Sequence, residues 1–174
     1  RPVSGQAIET LSQWGDIYAS GPELEALQSI SAQAWMVEML TEDAYMESID
    51  LMRIGKRQIN ANPDGIDVGG PTPEALHAVG LFNHETAADM TNPSTLGFAH
   101  QTRDVMLACP AFILQKTPSN TRLDQIAAGG KWLRYNLAVT RLGLQTRPVS
   151  QALQEYPEMA GHYEAIHAQF AKNG

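Results

Sequence analysis

One cysteine, Cys109, is all this chain has. That excludes an intramolecular disulfide and any cysteine-rich metal centre, and it is compatible with a reducing compartment. No apolar run approaches the roughly 20 residues that a membrane-spanning helix needs. Blocks of like charge are missing, and 19 acidic against 12 basic residues leave a net charge of -7. An acidic chain without a basic patch is a poor partner for nucleic acid or an anionic membrane. The nucleophile elbow Gly-x-Ser-x-Gly, the P-loop and the dinucleotide fingerprint are all absent. Histidines 77, 84, 100, 162 and 167 are scattered. His162 and His167 stand five apart, which does not align two ligands on one helix face, so no metal site is expected. There is no internal repeat and no low-complexity tract.

What is present is the composition of an ordinary folded domain, 43% hydrophobic and 18% charged over 174 residues. A chain of this length buries roughly 70% of its unfolded surface without covalent staples. The expectation is one α+β domain over 1–174, rich in helix, with a small sheet. Residues 4–14 read as a short amphipathic helix, and 16–20 as a weak strand. Gly21-Pro22-Glu23 opens a strong helix with the stripe Leu24, Leu27, Ile30, Ala34, Val37. Thr41 caps a helix over 42–54, and 56–60 adds a turn that Asn62-Pro63-Asp64-Gly65 breaks. Residues 66–73 read as irregular loop. Thr72-Pro73-Glu74 opens a helix to about 82, a short piece follows to 90, and Asn92-Pro93-Ser94 starts one to about 108. Residues 111–116 (AFILQK) read as an inner strand, and 157–172 as a closing helix. Met36, Met39, Met46 and Met52 read as core filling or a helix–helix interface.

The organising stretch is 119–159. Ser119 or Asn120 is the expected N-cap of a long helix, with Asp124 near its positive end. Its body carries two apolar rows: Ile126, Gly130, Leu133, Leu137, and Ala128, Trp132, Tyr135, Val139, Leu142. Apolar residues on two faces predict a central helix. Gly143 sits where a left-handed C-cap residue belongs. Pro148 then biases Arg147 towards extended structure, and a new helix is expected near Ser150. A glycine stop followed by a polar turn that opens a helix presents backbone amides to a ligand.

The run AAGGKWLRYNLAVTRLGLQTRPVSQALQEYP resembles the late part of the nitroreductase-like FMN-binding flavoproteins, in their long, internally duplicated, Acg-like branch. AFILQKTPSNTRLDQIAAG resembles the strand and loop leading into that family's helix. LTEDAYMESIDLMRIGKRQINANPDGIDVGGP is similar to its middle segment. The likeness spans most of residues 1–159 and rests on the order of several weak motifs. It implies a helix-rich nitroreductase-like fold with a small sheet and a long central helix. It also implies bound FMN, and two-electron reduction of a nitro or quinone-like acceptor by NAD(P)H. In that family the turn matching 148–151 lies over the flavin, its amides reaching the N5 and O4 region. Ser150 and Gln151 would be the donors, and Pro148 and Val149 would shape the wall. Arg1 falls near the family's arginine-rich phosphate-binding stretch, and Arg147 adjoins the turn. Arg134 and Arg141 are further candidates, because bidentate geometry suits arginine to phosphate.

Each of these has a plainer counterpart. PVSQ also reads as a helix N-cap with Ser150 capping, and surface arginines are usually solvated. Gly129-Gly130 in a helix reads as tight packing, within the chain or across a dimer. The family's ring-packing segment of type Pro-Ser-x-x-Asn-x-Gln-Pro-Trp has no counterpart here, and the chain opens Arg1-Pro2 without methionine. Those features suggest part of a longer native chain, its site completed by a homodimer or a second half. A cytoplasmic location is favoured, and an exported form with a removed leader fits the same start. The alternatives to an enzyme are a flavin-binding or degenerate relative without turnover, and a helical interaction domain using the Leu24–Leu40 stripe.

Overall fold

The computed structural model describes residues 2–171. It is α+β and helix-rich. The elements in chain order begin with α1 (Gly5–Leu11), β1 (Asp16–Tyr18), α2 (Gly21–Leu40), α3 (Glu42–Asp50), β2 (Met52–Ile54), α4 (Gly55–Ala61) and β3 (Ile66–Val68). They continue with α5 (Pro71–Ala78), α6 (His84–Ala88), α7 (Pro93–Leu107), β4 (Phe112–Leu114), α8 (Arg122–Arg141) and α9 (Ala160–Phe170). The chain divides into two compact units, residues 35–103 and the segments on either side of them.

In the unit built from both ends of the chain, Ser4 caps α1 by accepting the Ala7 amide at 3.2 Å. Leu11 at the end of α1 packs with Tyr135 and Val139 of α8 in a core cluster. Trp14, Ile17, Ile113 and Leu144 close around it. β1 and β4 pair antiparallel, with Ile17 opposite Ile113. The stretch AFILQK is therefore not the inner strand of a larger sheet; β4 belongs to a two-stranded ribbon. The strands approach closely at Gly15, where a Cβ would lie 2.4 Å from the Leu114 carbonyl oxygen. Lys116 Nζ meets Asp16 Oδ2 at 2.8 Å and donates to the Phe170 carbonyl at 3.3 Å, tying β4 to the end of α9. The hydrogen bond to Asp16 raises the Lys116 pKa. The closing helix begins as a 3-10 turn, Pro157–Met159, and the expected terminus at Lys172 lies outside the described residues.

The middle unit centres on Met39, Tyr45, Ile49, Ala87 and Ala99, with Trp35, Met36 and Met52 packed against them. Three of the four noted methionines are thus core filling, while Met46 is 36% exposed. The helix expected over 42–54 ends at Asp50, because Leu51 turns the chain and residues 52–54 pair parallel with 66–68. Ile54 is buried by this arrangement. The supposed loop 66–73 accordingly holds β3 and the start of α5. α5 stops at Ala78, short of 82, where the amides of Gly80 and Leu81 fold back onto the carbonyls of His77 and Leu76. Part of the α2 stripe is core, with Leu27, Ile30 and Ala34 buried, whereas Leu40 at its end is 64% exposed.

The parallel pair depends on Gly65. Its φ of +77° is left-handed, and a Cβ there would lie 2.2 Å from the Leu51 carbonyl oxygen. Gly65→Ala combines an unfavourable backbone with a clash and should cost about 2 kcal/mol or more in urea unfolding.

Tyr45 donates its hydroxyl to the Ala87 carbonyl at 2.5 Å from a buried position. Burial pushes its pKa above the ordinary 10.0. The neutral phenol is the form that the fold stabilises, so this contribution is complete below pH 10 and disappears as pH rises through the folded-state value. Tyr45→Phe strands the carbonyl and should cost about 1–3 kcal/mol at neutral pH. It should also remove part of the alkaline loss of stability seen in a pH series of urea melts.

Candidate functional site

The α8 N-terminus is organised by Thr121, not by Ser119 or Asn120. Thr121 and Asp124 form a reciprocal capping box, with the Thr121 hydroxyl 2.6 Å from Asp124 Oδ2. Ser119 contributes from outside the helix by donating its hydroxyl to the same carboxylate oxygen. The Ser119 and Thr121 hydrogen bonds hold the Asp124 pKa below its ordinary value.

Along α8 the two rows have different fates. Tyr135 and Val139 are buried, and Trp132 and Ala138 pack against the same cluster. On the other face, Leu123, Ile126, Leu133 and Leu137 are 78%, 60%, 60% and 64% exposed. The expected central helix is thus covered on one side only. A helix with a 100° step per residue puts the rows nearly opposite each other, so one packing layer cannot cover both. The glycines on this helix meet no tight neighbour: a Cβ on Gly129 finds nothing within 4 Å, and on Gly130 only an Arg134 side-chain nitrogen at 3.9 Å. Close packing inside the chain therefore does not account for them.

α8 ends as its sequence suggests. The amides of Leu142, Gly143 and Leu144 return to carbonyls of residues 138–140, and Gly143 takes a φ of +67°. Residues 144–150 then run without regular structure to a 3-10 turn, Gln151–Leu153. This strap is pinned at both ends. Leu144 belongs to the Leu11 cluster, and Ala152 is 4% exposed on a turn that packs against α9. The structure brings Arg147, Pro148, Val149, Ser150 and Gln151 together on that strap, as continuous sequence requires. Arg1 lies outside the described residues. Ser150 occupies the N-cap position of the 3-10 turn, yet its side chain makes no capping hydrogen bond. Among the described residues, the amides of Val149, Ser150 and Gln151 have no acceptor. Gln151 also keeps its side-chain oxygen buried without a partner. Three successive N–H groups without a protein acceptor are thereby left for water or a ligand to satisfy.

A feature that the sequence reading missed lies where the end of α1 meets the end of α8. Thr10, Gln13, Trp14, Leu137, Ala138, Arg141 and Leu142 line an open cleft of about 580 Å³. Trp14 is the notable member. Its indole N–H is closed off from solvent and has no acceptor, whereas the indole of Trp35 donates to the Ala99 carbonyl at 2.9 Å. A tryptophan directly before the glycine that ends a helix was the available signal. Its cleft-forming partners come from a segment more than a hundred residues away, which no local pattern reveals.

No group of residues able to hold a metal ion occurs among the described residues, and none of their helices is long and apolar enough to cross a membrane. No family model matches the chain, and neither a curated protein nor a solved structure matches it.

The two segments of the strap predict distinct hydrogen-exchange behaviour. Amides 142–144 should be protected, while those of Val149 and Ser150 should exchange within the first seconds by mass spectrometry or NMR. Protection of Val149 and Ser150 in the free protein would contradict the absence of a protein acceptor.

Proposed function

We propose that the chain is an FMN-dependent oxidoreductase of nitroreductase type, reducing a small nitro-aromatic or quinone-like acceptor with NAD(P)H. The observation that carries this reading is the row of unbonded amides at Val149, Ser150 and Gln151, on the strap that the family resemblance singles out. Donors fixed in that way favour negative charge on whatever they face, and they need no reorganisation to do so. FMN, when bound, would supply the hydride chemistry itself. The chain's part is then to hold and polarise. The amides 149–151 would donate to the acceptor edge of the ring, and Pro148 and Val149 would wall it. Arg147, with Arg1, would meet the phosphate. No side chain has to move a proton as a dedicated acid or base.

The pocket is completed, in this proposal, by a second copy of the chain docking on the exposed face of α8. Leu123, Ile126, Leu133 and Leu137 supply apolar surface there. Gly130, in the same row, leaves room for a helix to come close. Apolar faces of this kind on a folded chain mark interaction sites.

The test begins with purified protein mixed with excess FMN, desalted, and examined by visible absorption. Retained flavin bands with steady NAD(P)H oxidation are the expected result. Gln151→Pro removes one donor at a first-turn position that proline tolerates. It should lower the flavin's midpoint potential, with Gln151→Ala as control and far-UV circular dichroism as the check on folding. Leu133→Glu should weaken self-association by about tenfold or more in sedimentation velocity and release flavin in parallel. A colourless protein at concentrations where it dimerises would overturn the flavin reading. Retained flavin without turnover would leave a binding protein. Dimers without flavin would favour a helical interaction domain built on the α8 face.

A further inference from the structure

We infer that the exposed face of α8 takes the acidic face of α3 from a second copy of the chain, the two helices lying antiparallel. This rests on the functional proposal only for the second copy, and it needs no flavin. Charge is segregated along the sequence. Residues 2–52 hold nine acidic residues and no lysine or arginine, whereas 105–154 hold six bases and one acid, Asp124. Asp124 is committed to the α8 cap, and Lys116 to Asp16. On α8, Arg122, Arg134 and Arg141 are exposed and make no ion pair among the described residues. With a step of about 100° per residue, Arg134 and Arg141 border the row Ile126, Gly130, Leu133, Leu137. The Arg134 side chain reaches over that row, one nitrogen lying 3.9 Å from where a Gly130 Cβ would stand.

Two α8 faces laid together would oppose arginine with arginine, and like charges across a contact cost affinity. An anionic membrane would suit the arginines, but a net charge of -7 opposes its approach. The surface that answers them is in the chain itself. α3 buries Tyr45 and Ile49 and exposes Asp43, Met46, Glu47 and Asp50. None of these three carboxylates makes an ion pair among the described residues, and Arg53 is taken by Asp64 at 3.1 Å. Asp50 stands at the negative end of the α3 dipole, where a cation is favoured. The spacings also match. Asp43 and Asp50 are seven residues apart, as are Arg134 and Arg141, which is about 10.5 Å along either helix. An antiparallel approach sets Arg141 against Asp43 and Arg134 against Asp50. It brings Leu137 level with Met46 and Glu47, and Leu133 level with the exposed Leu51.

The test is sedimentation velocity of the full chain without flavin, so that failure of the flavin reading is seen separately. Self-association is expected, and it should weaken about tenfold between about 0.05 M and about 0.5 M salt. The double variants Arg134→Glu/Arg141→Glu and Asp43→Lys/Asp50→Lys should each self-associate about tenfold or more weakly. An equimolar mixture of the two should associate nearly as well as the unaltered chain, because each α8 then meets an α3 of opposite charge. Far-UV circular dichroism checks that both variants are folded. Absence of self-association at low salt overturns the inference, and pelleting of that monomer with phosphatidylglycerol vesicles would assign the α8 face to a membrane. Failure of the mixture to recover overturns it too. So does association that the arginine substitutions strengthen and the aspartate substitutions leave alone. α8 would then pair with α8, and the second copy of the functional proposal would stand without this contact.

Discussion

The rotation of α8 about its own axis is the constraint on which the rest of this unit depends. Leu11 seats against Tyr135 and Val139, and the Trp14, Ile17 and Ile113 side chains close around them. Burying that row leaves the opposite row in water. It also fixes where Arg141 and Leu142 emerge beside Trp14, and from which side of the helix the strap departs. The row of unbonded amides and the cleft both follow from this one choice of which face goes inward.

Unpaired polar groups here are tolerated for different reasons. The Val149 and Ser150 amides lie on an exposed to half-buried strap, where water satisfies them in the absence of a ligand. The Trp14 N–H and the Gln151 side-chain oxygen are closed to solvent and have no partner, so each carries a desolvation cost of about 1–3 kcal/mol. A fold that keeps such groups has other reasons for placing them. The apolar body of Trp14 closes the Leu11 cluster, and the backbone of Gln151 opens the turn that seats Ala152.

Helix was legible because its signals are local. Ser4 and Asn83 cap where their residue types suggest, Thr41 stands at the start of α3 with its hydroxyl turned back to the Val37 carbonyl, Gly143 stops α8, and the Asn62–Gly65 cluster ends α4. Strands of three residues leave too short a trace. The helical row through Tyr45 and Ile49 reads straight on into Met52, but the residues after Leu51 pair with 66–68 once Gly65 lets the chain return. The same limit applies to the cap of α8. Ser119, Asn120 and Thr121 are all competent, and only the reach of Asp124 back to Thr121 selects among them.

By itself the sequence determined a helix-rich α+β chain, the position of its long helix and stop, and the polar turn that follows. Those depend on residues within one or two helical turns of each other, where backbone preference and capping chemistry act. Tertiary structure decided which α8 row is buried, that 52–54 is strand, and that Trp14 and Arg141 share a cleft. Those outcomes come from competition between distant surfaces for the same apolar contact. That competition is settled by the area each arrangement removes from water, which no single stretch of sequence encodes.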